Sequence, residues 1–465
     1  MLPFKNASVA VLGLSVEGLD AVRFFVGRGA RVTCCDRRSA DDLGDAHREL
    51  EKLAVSFRLG DGYLNGLTAF DYVVRTPGMS PRLPALSELR AQGKDITSAT
   101  KLFFDLCRAP IIGITGTKGK GTTSTLIHSM LKASGKRSWL GGNVGTPLLS
   151  RIADIRSEDI VVFELSSFQL EDMTRSPHIA VVLKITREHL ANFDKLATNY
   201  HPSVKAYRDA KTSIVRYQKK SDVAVYNADD SVSVSFSKLT PARVLSVSSI
   251  TEDSDAYVQN REVIVRWNGR TERICRANDL HLRGNHNLEN IAAATLASMS
   301  AGADLGSVRS AVRAFKGLAH RIQFVRTVGG ISYFNDSCST IPETAIAAIL
   351  SFREPLVLIL GGSEKGSDFR ALGGVIASGN VRSAVVIGDM TDRIVASLRD
   401  AHFEGTIITG AKNMHEAVER ATHTARSGDI VLLSPACASF DMFNNYKDRG
   451  DQFIYEVNHI ASHTS

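Results

Sequence analysis

Residues 113–123 read GITGTKGKGTT, between the apolar run APII and the stretch TTSTLIHSMLKASG, which keeps helical spacing until Gly135. A buried strand that breaks into a glycine-rich loop and then into a helix leaves few architectures open. The loop's backbone N–H groups can close on an anion, and the helix adds its positive N-terminal end. Gly113, Gly116, Gly119 and Gly121 let the backbone approach that anion. The common phosphate loop ends Gly-Lys followed directly by Ser or Thr. Here Lys120 is followed by Gly121, and hydroxyls come only at Thr122 and Thr123. Lys120 has the reach for β- and γ-phosphates, and Thr122 can offer a hydroxyl to Mg2+. A chance glycine-rich turn is the competing reading, and the strand–loop–helix order counts against it.

Strand and helix patterns alternate along the whole chain, which predicts parallel sheets with ligands at the carboxyl ends of strands. VAVLGLSVEG (9–18) is a strand breaking into a glycine turn and a helix, and RVTCCDRR (31–38) is a second strand ending in Asp36. Ser15 stands at the middle glycine of the GxGxxG pattern, so a plain α/β unit and a nucleotide site are equally open there. YVVRTPGMS (72–80) is a further strand. DIVVFELSSFQL (159–170) is a buried strand with Glu164, Ser166 and Ser167 at its end, and IAVVLKITREHL (179–190) ends in Glu188 and His189. An acid at the end of the strand after the loop helix is where a nucleoside triphosphatase keeps its metal carboxylate; a surface strand-end glutamate is the plainer alternative. A lone histidine is more often structural, but His189, Glu164 and the loop on neighbouring strand ends could share a metal. A polar, β-rich stretch over 241–280 precedes the helical NLENIAAATLASMSAG (287–302). A third unit opens near GLAHRIQFV (317–325), with strands in PLVLILGG, SAVVIGD and DIVLLSP.

With 465 residues the chain exceeds one core, and the pattern divides it into 1–105, 106–316 and 317–465. The net charge of +7 is mild and its Lys and Arg residues are scattered, which favours anionic small substrates over nucleic acid. The six cysteines form no CxxC pair and no zinc spacing, as expected of reduced thiols in a cytoplasmic protein. The N-terminus enters a strand pattern without the basic and apolar regions of a signal peptide, and no apolar run approaches a membrane span.

GITGTKGKGTT, LGGNVGTP, VVFELSSFQL, HNLEN, FNDS and LLSPACAS occur in this order over nearly the whole chain. Together they resemble the Mur ligases. ELSSFQL and SPACASFD look like the branch that adds D-glutamate to UDP-N-acetylmuramoyl-L-alanine (UDP-MurNAc-L-Ala) in cytoplasmic peptidoglycan precursor synthesis. The Lys-Gly-Thr loop ending is instead similar to folylpolyglutamate synthase. That relative starts near the loop, whereas about a hundred residues precede it here. A ligase adding L-glutamate or another amino acid, a folyl-type ligase and a non-catalytic nucleotide-binding scaffold remain as alternatives.

The resemblance implies a fold of three α/β domains: a Rossmann-like N-terminal domain (1–105) for the uridine substrate, a central phosphate-loop ATPase domain with a parallel sheet (106–316), and a Rossmann-like C-terminal domain (317–465) for the amino acid. It implies ATP and two Mg2+ ions as cofactors, an acyl-phosphate intermediate and a monomer acting on small molecules, without nucleic acid or membrane. ATP would be held by Gly116, Thr117, Lys118, Gly119, Lys120, Gly121, Thr122 and Thr123, by Asn287 and Asn290 on the adenine side, and by His320, Arg321 and Asp336. Lys120, Glu164, His189 and Lys211 would carry the catalysis. Thr122, Glu164, His189 and Lys211 would hold metal, with Lys211 of YRDAK carbamylated. Ser15, Val16, Asp36 and Arg37 would take the uridine end of the substrate, and Asn143, Ser166 and Gln169 its middle. Thr340, Lys365, Ser439 and Tyr446 would meet the amino acid's carboxylates. Four positions depart from the family pattern: Cys338 replaces a lysine, Lys184 and Glu188 replace an asparagine and an aspartate, and Gly121 replaces a hydroxyl.

Overall fold

The structure, a computed structural model, describes residues 4–186, 199–282, 284–364 and 367–460. Its strands form three sheets. The first has the order β3-β2-β1-β4-β5, from β1 (Ser8–Leu12), β2 (Arg31–Asp36), β3 (Val55–Leu59), β4 (Tyr72–Arg75) and β5 (Ile96–Ser98). All its pairings are parallel. The order reverses between β1 and β4, which opens a crevice at their carboxyl ends, as in dinucleotide-binding folds.

The second sheet takes β6 (Ile111–Thr115), β7 (Ser138–Gly142), β8 (Ile160–Glu164), β9 (Ile179–Val182), β10 (Val223–Asn227), β11 (Arg243–Ser248), β12 (Ala256–Gln259), β13 (Glu262–Trp267) and β14 (Arg270–Arg276). Its order is β14-β13-β12-β11-β10-β9-β6-β8-β7. It is parallel from β7 to β12 and turns antiparallel at β12–β13, within the polar β-rich stretch. Strands β6, β8 and β9 are buried along their whole length, as strands covered on both faces must be.

The third sheet has the order β15-β16-β20-β17-β18-β19, from β15 (Gln323–Val328), β16 (Ile331–Asn335), β17 (Leu356–Gly361), β18 (Val381–Ile387), β19 (Thr406–Ala411) and β20 (Ile430–Leu433). Among the described residues its β15–β16 pair is antiparallel and its other strand pairs are parallel. The period of two explains its double core. Leu356, Leu358 and Leu360 pack into one hydrophobic cluster, while Val357 and Ile359 pack into another.

The chain packs as two compact units, Met1–Cys275 with Leu288–Val312, and Arg276–Asn287 with Arg313–Ser465. Within the first unit one hydrophobic cluster joins the first two sheets, running from Val9, Val11 and Phe25 to Phe103, Phe163 and Leu165. Among the described residues, no helix is long and apolar enough to cross a membrane.

Candidate active site

The glycine-rich loop leaves β6 and enters the helix Lys120–Ala133. Gly116 has φ +153°, and a Cβ there would stand 2.7 Å from the Leu183 Cβ. Gly119 has φ +87°, and a Cβ there would stand 2.4 Å from Asn290 Oδ1 on the helix Asn285–Ser300. Both positions therefore exclude a side chain. Gly113 serves packing instead. It lies inside β6, where a Cβ would press on Pro177 and Leu165.

Thr117 holds the loop in place. Its N–H donates to the Lys184 carbonyl (2.9 Å), and its hydroxyl donates to Thr186 O (3.1 Å) and accepts from Thr186 N–H (2.8 Å). That hydroxyl also lies 3.0 Å from the Tyr207 hydroxyl. Lys120 Nζ donates to Thr117 O (2.9 Å) and Gly116 O (3.2 Å). Lys118 is exposed, Thr122 half-buried and Gly121 buried in the first turn of the helix. The Thr123 hydroxyl is enclosed without a protein hydrogen-bond partner.

Lys211 sits on the helix Val204–Arg216, a segment with no sequence link to the loop. It is buried, and its ammonium donates to Thr115 Oγ1 (3.2 Å) and Gly116 O (3.0 Å) while lying 4.8 Å from the centre of the Tyr207 ring. Glu164, also buried, closes β8 opposite Ile114 of β6 and Gly142 of β7. The fold thus gathers Lys120, Lys211 and Glu164 around the carboxyl ends of β6 and β8. His189 lies outside the described residues, as do Glu188 and Lys365.

Lys184 is a departure from the family pattern that the structure accounts for. Its ammonium pairs with Glu289 of the HNLEN helix (2.8 Å), and Glu289 also accepts from Asn227 Nδ2 (3.0 Å). Asn290 lies against the loop; Asn287 is half-buried, with its N–H on Gly284 O (3.1 Å).

At the carboxyl end of β1, Gly13 turns with φ +89° and leaves Ser15 and Val16 exposed ahead of the helix Val16–Gly27. Asp36 accepts from Leu14 N–H (2.7 Å), from Arg38 N–H (3.0 Å) and from the Arg38 guanidinium (2.9 and 3.0 Å). Burial pushes this carboxyl up, and the bonds from Arg38 and Leu14 outweigh it, so it titrates below its ordinary range. Arg37 is exposed. The arginine engaged with Asp36 is Arg38 rather than Arg37, although DRR offers both. Asn143 is exposed in the turn after β7. Ser166 and Gln169 form a capping box on the short helix Ser167–Leu170.

In the second unit, Asp336 is buried and accepts from the hydroxyls of Ser339 and Ser434 and from Ile322 N–H. Burial raises its carboxyl to about 6 against those bonds. His320, at φ +61°, places Nδ1 3.1 Å from Asn335 Nδ2, and burial lowers its imidazole. Arg321 is exposed and acts on both Asp336 and Cys338. Cys338 Sγ lies 3.9 Å from Asp336 Oδ1, and burial pushes its thiol up. Thr340 is half-buried, Ser439 buried, and Tyr446 opens the helix Tyr446–His459.

Arg449 on that helix was not legible beforehand. It is fully buried and donates to Ser337 Oγ (2.9 Å), Ser337 O (2.9 Å), Cys437 O (3.1 Å) and Ala438 O (3.0 Å). It thereby ties the Thr340 loop to the Ser439 loop, and burial lowers its guanidinium to about 10.

Comparison with known proteins agrees with this layout. Residues 7–98 match the Mur ligase MurD-like N-terminal domain, 114–298 the Mur ligase middle domain, and 320–437 the Mur ligase glutamate ligase domain. The UDP-N-acetylmuramoylalanine–D-glutamate ligase of Symbiobacterium thermophilum is 41% identical over 96% of this chain and 96% of its own. Its counterpart from Acetivibrio thermocellus is 38% identical over 98% of this chain and 97% of its own. The solved UDP-N-acetylmuramate-alanine ligase MurC of Thermotoga maritima shares the fold, at 18% identity over 97% of this chain and 99% of that one, with a TM-score of 0.56. A glycine-rich loop, a strand-end glutamate, a buried lysine and relatives matched from end to end lead to one conclusion: the chain belongs to the Mur ligase family, among the UDP-N-acetylmuramoylalanine–D-glutamate ligases.

Proposed function

We propose that this chain joins D-glutamate to UDP-MurNAc-L-Ala at the expense of ATP, in cytoplasmic peptidoglycan precursor synthesis, as a monomer. The convergence of Lys120, Lys211 and Glu164 at the ends of β6 and β8 carries this reading, in a chain 41% identical to a ligase of that name. A carboxylate and an amine do not condense in water unaided. The substrate carboxylate would attack the γ-phosphorus and ADP would leave, giving an acyl phosphate. The glutamate amine would then attack the acyl carbon, and phosphate would leave as the amide forms. Positioning and charge stabilisation are the protein's main contributions to such a transfer.

Lys120 would face the transferring phosphoryl group. Residues 1–105 would take the uridine end, 106–316 ATP, and 317–465 the amino acid. The donors suit Mg2+, a cation that prefers oxygen: the Glu164 carboxylate and Thr122 hydroxyl stand near the loop, and the neighbouring Thr123 hydroxyl is enclosed without a partner. Glu164, Thr122, His189 and Lys211 would hold it. Mg2+ supplies charge neutralisation to phosphoryl transfer. Lys211 qualifies only as a carbamate, formed when its amine nitrogen bonds to CO2 and loses a proton, which turns a cation into an anion.

Cys338, a neutral thiol where the family has a lysine, favours a second reading: the same chemistry with L-glutamate or another amino acid. Phosphate release from ATP, measured with UDP-MurNAc-L-Ala and either D- or L-glutamate, separates the two. Release that requires both UDP-MurNAc-L-Ala and D-glutamate is expected. Release with L-glutamate alone overturns the amino-acid assignment, and no dependence on UDP-MurNAc-L-Ala overturns the whole reading.

A further inference from the structure

Glu17 lies in the first turn of the helix Val16–Gly27, one residue beyond the exposed turn at the end of β1. Its carboxyl lies between the ends of the first sheet and the segment after β8. Oε1 accepts from Gln169 Nε2 at 2.7 Å, across 152 residues of sequence. Oε2 is enclosed, with the Thr100 hydroxyl beside the carboxyl but no hydrogen bond to Oε2 of normal geometry. Thr100, Asp20 and Arg75 are its other polar neighbours.

The far side of Gln169 is equally committed. Its Oε1 accepts from Ser166 N–H (2.8 Å), and its own N–H donates to Ser166 Oγ (3.2 Å). A primary amide has one accepting end and one donating end. The carboxylate claims the donating end, which leaves the carbonyl for Ser166. Glu17 thus decides which way the Gln169 amide faces, and with it the set of the segment two residues beyond Glu164.

We propose that Glu17 is a positioning residue for the sugar-nucleotide substrate, orienting Gln169 and Ser166 and tying the turn at the end of β1 to the Glu164 segment. This rests on the proposed reading that Ser166 and Gln169 line the middle of that substrate. Stability does not account for such a group: a carboxyl enclosed beside Asp20, with only Thr100 near its second oxygen, is a cost to the fold. Groups that cost stability and serve a site are recognised by variants that gain stability and lose function.

The test uses Glu17→Leu, Glu17→Gln and Gln169→Leu in the full chain. Glu17→Leu removes the acceptor and leaves an apolar side chain one atom shorter. Its KM for UDP-MurNAc-L-Ala is expected to rise about tenfold, the scale of one lost buried hydrogen bond. The KM values for ATP and D-glutamate should stay put, and the melting temperature should hold or rise. Glu17→Gln, which can still accept from Gln169, should restore most of the substrate affinity. In the Gln169→Leu background, Glu17→Leu should add little. An unchanged KM for UDP-MurNAc-L-Ala overturns the proposal, as does a parallel loss of all three KM values with a lower melting temperature. If the wild type turns over no UDP-MurNAc-L-Ala, the functional reading has failed instead. Calorimetric binding of UDP to wild type and Glu17→Leu then decides: weaker binding by the variant supports the proposal, and equal or absent binding overturns it.

Discussion

Lys120 and Lys211 donate to the same oxygen, the carbonyl of Gly116, at 3.2 and 3.0 Å. One comes from the first turn of the loop helix, the other from the middle of a helix far along the chain. Two ammonium groups on one carbonyl repel each other. A carbamate on Lys211 would replace that repulsion with attraction, at the place where phosphates and Mg2+ are expected to meet.

Lys120→Ala should lower kcat on the order of a hundredfold or more, because it removes the charge aimed at the transferring phosphoryl group. Steady-state phosphate release is the measurement. Near-normal turnover would mean that the loop does not serve ATP.

Lys211→Ala should be inactive and regain part of its activity with added small carboxylates. Intact-mass measurement of wild type under CO2 should show the carbamate, and exhaustive removal of CO2 should slow turnover reversibly. Full activity without CO2 would rule the carbamate out. The burial of Lys211 against the loop makes a purely solvent role untenable.

Cys338→Lys should lower the KM for D-glutamate and leave that for ATP little changed. A restored charge-assisted hydrogen bond is worth roughly 1.5–3 kcal/mol, or about ten- to a hundredfold in affinity. An unaltered KM would show that a neighbour, such as Arg321 beside Cys338, already provides the charge.

Glu17 makes stability depend on pH in a stated direction. Burial, with Asp20 adding to it, lifts its carboxyl from 4.5 to about 7, against Gln169, Arg75 and Thr100. The folded state therefore holds a proton that the unfolded chain gives up. The associated stability is complete below pH 4.5 and is lost as pH rises through about 7. Glu17→Gln cannot titrate, so denaturant unfolding should show wild type losing stability relative to this variant from pH 4.5 to 7, by at most about 3 kcal/mol. A difference that is flat across that window would refute the assignment.

The loop, the strand ends and the sheet type were legible in the sequence because they rest on local rules. Gly116 and Gly119 mark positive φ, and largely apolar runs such as IIGIT and LVLIL mark strands covered on both faces. Strands β3, β5, β7 and β19 escaped notice, being short or half-exposed, with little apolar pattern to read. Single positions were hardest. Lys211 reads as an exposed helix lysine until the chain brings it under the loop, Asp36 has two arginines beside it and only Arg38 folds back, and nothing near Glu17 points to Gln169. Local spacing sets which face of a helix or strand a side chain takes. Which residue stands opposite it depends on the order of strands in the sheet, β9-β6-β8 here, and on the crossovers between them. That order is a property of the packed chain as a whole, because each crossover is stabilised only once the core on both faces of the sheet has closed.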